Sequence, residues 1–139
     1  MKCIWEHNGN DTLLFSEDCI GAYTRGESLE VAMGKMQAEI LAYTLWRNQS
    51  FSQDEKIEII QEKCSDLQIA DADSDIIFES EKLPLSKDEY DELKSLVLKS
   101  AKDFYGLFQS VPDKGKSCNL PRKTFYGDVP RTAQEMYEH

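Results

Sequence analysis

The stretch Ile20 to Trp46, IGAYTRGESLEVAMGKMQAEILAYTLW, constrains this chain more than any other. Leu29, Ala32, Met33, Met36, Ile40, Tyr43 and Thr44 recur at spacings of three and four, which places them on one stripe of a long amphipathic helix. Ser28 stands where a hydroxyl can accept from an unpaired N–H of the first turn, and Glu27 and Glu30 suit the positive end of the helix dipole. A single stripe must be buried against another element, so the segments on either side have to supply a surface for it. Gly34 interrupts the pattern at a cost of about 1 kcal/mol relative to Ala, and sits either at a close approach or on the solvent face.

Strands precede this helix. Lys2 to His7, KCIWEH, alternates Cys3 and Trp5 against Ile4, and Asn8-Gly9-Asn10 follows as a hairpin turn because Asn and Gly tolerate positive φ. Thr12 to Ser16 is expected to return antiparallel, and Cys19 to Thr24 to form a third strand ending at Arg25-Gly26. Downstream, Asn48 to Phe51 reads as a loop. Ser52 with Glu55 makes a capping-box pattern ahead of Ile57, Ile59, Ile60 and Cys64, which predicts a second, shorter helix there. Leu67 to Ala70 and Asp75 to Glu79 flank an acidic turn, and the branched and aromatic DIIFE predicts a fourth strand.

Pro84 breaks the chain. Ser86 and Glu89 then open a long helix whose Tyr90, Leu93, Val97, Ala101, Phe104 and Phe108 share one face, widened by Leu96 and Leu107. So broad a stripe wants a larger partner surface than one strand. From Val111 to Pro130 prolines and glycines scatter among polar residues and the pattern is lost. Arg131 to His139 is helical again over barely two turns, marginal by itself, and the expectation is a helical segment cut short. The fold class is α+β: a small antiparallel sheet of three to four strands with a helix across it over residues 1–82, then a helical segment over 83–139. A length of 139 residues suits one ordinary domain, or a small α/β unit with a piece of a second.

With 26 acidic against 16 basic residues the formal charge is -10, which repels phosphate backbones and anionic lipid and argues against nucleic-acid or membrane-surface partners. No stretch approaches the length of a membrane span, and Met1 to Asn10 lacks the pattern of a signal peptide, so the expected location is the cytoplasm. Cys3, Cys19, Cys64 and Cys118 are too widely spaced for a zinc motif and read as free thiols.

Few residues are candidates for chemistry. Asp71, Asp73 and Asp75 alternate as at the start of an EF-hand loop. Ile76 replaces the required glycine, however, and Lys82 the bidentate Glu, which leaves a solvated acidic turn. Glu6, Glu17, Asp18 and Glu79 lie near strands, but Glu6 faces away from Cys3 and Trp5 while Glu17 and Asp18 fall in a turn, so convergence on metal ions is not expected. Cys19 has no histidine with a sequence-level claim to serve as its base. His139 is a metal-donor type, yet one protein ligand does not hold a catalytic metal, and the other histidine, His7, lies in the first part of the chain. No catalytic or cofactor-binding residue is predicted.

Two family resemblances follow from these motifs. The block LLFSEDCIGAYTRGESLEVAMGKMQAEILAY resembles the HicB-like antitoxin domain through Cys19, Gly21, Thr24, Gly26, Glu27, Ser28, Leu29, Glu30 and Ala32. It implies a partly degraded ribonuclease-H-like sheet with a helix across it over about residues 1–80. It also implies a non-enzymatic interaction module with a protein partner, by analogy a small basic toxin. The run LPLSKDEYDELKSLVLKSAKDFYGLF with VPRTAQEMYEH looks like the opening of a DinB-like four-helix domain. That resemblance implies a metal ligand at His139, a divalent metal only in a longer chain, and, as the alternative function, the N-terminal portion of a metal-dependent enzyme with the HicB-like part as accessory or dimerisation domain. Under either reading the Tyr90 to Phe108 face points to a homodimer.

Overall fold

The computed structural model describes residues 1–50 and 56–139. Strand β1 (Lys2–His7) pairs antiparallel with β2 (Thr12–Ser16), Trp5 opposite Leu14, across the turn in which Gly9 takes φ 87°. Strand β3 (Tyr23–Gly26) adds antiparallel to β2, with Thr24 opposite Leu14. It starts later than the sequence pattern predicts. Cys19 to Ala22 is a turn instead, closed by the Ala22 N–H on the Cys19 carbonyl at 2.9 Å, and Gly21 supplies the φ of 94° that the turn needs.

Helix α1 (Leu29–Trp46) begins where the cap predicts, Ser28 Oγ accepting from the Val31 N–H at 3.3 Å. Its buried residues are Ala32, Met36, Ile40, Tyr43 and Thr44, and the first four pack with Cys3, Leu14 and Ala22 into one core cluster. Gly34 is on the exposed side with open space around it. Gly26 is the glycine that matters: a Cβ there would lie 2.6 Å from Val31 Cγ1, so the end of β3 passes too close to the helix start for any side chain.

The helix predicted over Ile57 to Cys64 is a strand, β4 (Glu58–Cys64), and the sheet is mixed rather than antiparallel. Its order is β3-β2-β1-β4, with β4 parallel to β1 and Lys2 facing Glu58. In that order β3 and β4 run the same way at opposite edges, and a connection between parallel strands must cross the sheet. Helix α1 is that crossover, and it delivers the chain to the one edge of β1 still lacking a partner. Ile57, Ile59, Ile60 and Cys64 fit helical and extended spacings alike, so periodicity alone could not decide. The Ser52 and Glu55 capping pattern falls outside the described residues.

The second face of the sheet is also covered. Ile4, Leu13 and Ile69 are fully buried yet lie outside the α1 cluster. Residues 65–82 run over this face with 3-10 turns at Ile69–Asp71 and Glu79–Lys82, and Phe78 packs against Phe15 at 5.6 Å between ring centroids. The predicted strand Asp75 to Glu79 forms no ladder, and its last residue opens the second 3-10 turn. Gln61 fastens it with its side-chain amide instead, donating to the Ile77 carbonyl at 3.0 Å and accepting from the Glu79 N–H at 3.0 Å.

The chain divides into two units, Met1–Leu83 and Pro84–His139. The second holds α2 (Lys87–Ser110), a small hairpin of β5 (Lys123–Thr124) and β6 (Gly127–Asp128), and α3 (Ala133–Glu138). Capping boxes start both helices: Ser86 with Glu89, and Thr132 with Glu135. Tyr137 stacks on Phe108 at 4.2 Å and holds α3 to the end of α2. No residue of this unit reaches full burial.

Candidate interaction site

Among the described residues Glu6 is the one carboxylate that the fold encloses completely. Strand alternation puts it beside Ile4 on the face away from α1, and residues 74 and 75 close over it. The Ser74 hydroxyl donates to Oε2, and the Asp75 N–H donates to Oε1 at 3.2 Å. Asp75 in turn pairs with Lys63 of β4 at 2.6 Å and accepts from the Ser65 hydroxyl at 3.3 Å. The Lys63 hydrogen bond holds the Asp75 carboxyl below the usual carboxylate range. Both oxygens of Glu6 are thus committed to fastening the 65–82 segment onto the sheet. The cluster is a latch by its geometry, and its acceptors are already used.

The second unit is open where the first is closed. A cleft of about 620 Å³ runs beside the last turns of α2, between Phe104, Leu107, Phe108 and Val111 on one side and Ala133 and Met136 of α3 on the other. Its walls are mainly apolar, with Asp113, Lys116 and Ser117 at the rim. Such a lining suits an apolar side chain of a partner better than a reacting polar group. A second cleft, of about 580 Å³, lies against the hairpin, where Arg122, Lys123 and Arg131 face Asp128 and Glu135. Leu120, Phe125 and Tyr126 around that hairpin are strongly exposed.

Of the sequence-selected residues, Glu6 and Asp75 meet in the latch, and the others sit elsewhere. Asp18 accepts from the Lys2 N–H at 2.9 Å at one end of β1, and Glu79 pairs with Lys82 at 2.6 Å in a 3-10 turn. Asp71 ends the other 3-10 turn, and Asp75, still exposed as the acidic-turn reading expects, also joins the latch through its pairing with Lys63. Among the described residues no group of three or more His, Cys, Asp and Glu could hold a metal ion. His139 is exposed at the end of α3, its N–H on the Glu135 carbonyl at 3.0 Å. His7 stacks on Trp5 at 4.1 Å and reaches Glu62 at 3.2 Å. Cys3 is buried, and burial pushes its thiol up to about 11. Cys19 is half-buried in its turn, its N–H on Ser16 Oγ at 3.1 Å, while Cys64 and Cys118 are exposed.

Sequence reasoning missed the latch, because Ser74 is far from Glu6 in the chain. The signal that could have found it is the lone glutamate on an inward position of a central strand, which demands a partner. No family model, no curated protein and no solved structure matches this chain. Among the described residues no helix is long and apolar enough to cross a membrane.

Proposed function

We propose that this protein is an interaction module without catalytic activity of its own, antitoxin-like and of HicB-like fold in its first unit, which binds a small basic protein in the cytoplasm. One observation carries the reading: the chain's charge is concentrated in residues 1–83, where 17 acidic residues stand against 7 basic ones. That accounts for the whole net charge of -10, since the remaining residues hold nine of each sign. A field of one sign on one folded unit steers an oppositely charged partner and repels phosphate. The enclosed carboxylate supports the same reading, because Glu6 is spent on the fold. Purification from the native host at low salt tests the proposal. The expected result is a stoichiometric basic partner, released as salt rises; chain recovered alone overturns it.

A second reading has its own support. The α2–α3 pairing through Tyr137 and the exposed His139 at the end of α3 suit the opening of a DinB-like metal-dependent domain. Calorimetric titration with zinc or nickel discriminates between the two. Binding that His139→Ala abolishes favours the second reading, and no heat favours the first.

A further inference from the structure

Helix α2 carries a second pattern beneath its broad stripe. Tyr90, Leu93, Val97, Ser100, Phe104 and Leu107 alternate at spacings of three and four through three heptads, and Val111 continues the series. That is a period of 3.5, which keeps a seam facing another helix rather than a flat sheet. At about 36 Å the helix is long enough to use it. The first part of the seam is uncovered, with Tyr90 55% and Val97 67% exposed, whereas Phe104 near its end stacks on Tyr137 of α3.

We infer that the occupant of this seam is α2 of a second copy, running parallel and in register. This goes beyond the proposed partner binding, which stands on the other unit. Two features select a copy of the same chain. The second unit carries no net charge, nine residues of each sign, so two such units meet without the repulsion that the acidic unit would bring. In parallel register, moreover, Glu89 before the first seam residue faces Lys94 five positions on in the other copy, twice per dimer by symmetry. Reversed helices would instead set Lys94 against Ala101, leaving the charge without a partner. Ser100 stands opposite Ser100 of the second copy at the one polar layer, where two hydroxyls can bond each other and penalise slipped registers. At its end the seam shares its cleft with α3, Phe104 and Leu107 lying opposite Ala133 and Met136, so the second copy meets α2 mainly through the turns from Tyr90 to Ser100.

Sedimentation equilibrium of the full chain in about 0.3 M salt, which shortens the reach of the first unit's charge, tests this. The wild type is expected to be a dimer. Val97→Glu puts two carboxylates in one seam layer and should raise the dissociation constant about 100-fold. Leu98→Glu changes a neighbour that is 61% exposed but off the seam, and should move it less than about 3-fold. Lys94→Glu should weaken the dimer about 5-fold by setting like charges together. Circular dichroism of each variant checks that α2 remains folded. A monomer throughout the concentration range overturns the inference, as does equal sensitivity to Val97→Glu and Leu98→Glu. Indifference to Lys94→Glu overturns the parallel register.

Discussion

Helices α1 and α2 start alike, with a serine cap and an apolar stripe, and end in opposite conditions. Five of the 18 residues of α1 are buried, whereas none of the 24 in α2 is. The longer and more cleanly one-sided helix is the uncovered one. An amphipathic pattern states that a cover is needed; it does not supply one. In the first unit the cover comes from strands on both sides in sequence, with β4 closing a sheet that β1 began. In the second, only the two-turn α3 and a short hairpin are at hand, and Tyr137 shields one end. The charge is divided in the same way: the unit with a complete core carries the net charge, and the unit with an open seam is neutral.

The contrast breaks most readily at Met36. Met36→Ala should cost about 2–5 kcal/mol, against less than about 0.5 for Leu98→Ala on α2, the latter read by helical ellipticity. Urea denaturation followed by tryptophan fluorescence reads the first unit alone, since Trp5 and Trp46 are the only tryptophans and both lie there. A loss below about 1 kcal/mol would mean that the α1 core is not close-packed. Next is the latch: Glu6→Ala leaves the Ser74 hydroxyl and the Asp75 N–H without their acceptor and should cost about 1–3 kcal/mol in the same assay. An unchanged midpoint would show the 65–82 segment to be dispensable for the sheet.

The caps give a matched pair at about 1 kcal/mol each. Ser28→Ala should lower the fluorescence midpoint, whereas Ser86→Ala should leave it in place and reduce helical ellipticity only. Equal midpoint shifts would mean that the two units unfold as one. Acid gives the smallest effect. Asp75 is held ionised in the folded state by Lys63, so its contribution is present above the ordinary carboxylate range and is lost as pH falls through the depressed value. Asp75→Asn should flatten the fall of the fluorescence midpoint below about pH 4. Glu89 and Glu135, depressed by their capping bonds, should act in the same direction on ellipticity instead. Thiol labelling sharpens the contrast with no mutation. Cys118 should react at once, and Cys3, buried and raised to about 11, only as the first unit unfolds. Simultaneous labelling would count against a closed core.

What the sequence disclosed was local. Ser28 and the spacing from Ala32 to Tyr43 carry their own explanation, as do Asn8-Gly9 and the Ser86 box, because cap, turn and stripe are satisfied within a few residues. What it hid depends on distant chain. Residues 57–64 satisfy two periods, and the choice of strand was made by the bare edge of β1, which no window around Ile59 contains. DIIFE is held by a glutamine on β4 rather than by a ladder, so strand composition was present without a strand. The same holds for the candidate site: Glu6 was visible as a carboxylate, but its enclosure by Ser74 and Asp75 was not.

Strand β1 sits between a neighbour made almost at once and one made much later, since β2 follows it across a tight turn while Glu58 and its successors close the other edge. During synthesis the first strand therefore waits half-zipped, a sticky margin held open for most of the first unit's length. Refolding should show the same order in time, with amides between β1 and β2 gaining protection from exchange before those between β1 and β4. Any delay in delivering the crossover lengthens the interval in which this protein is prone to pair with the wrong chain.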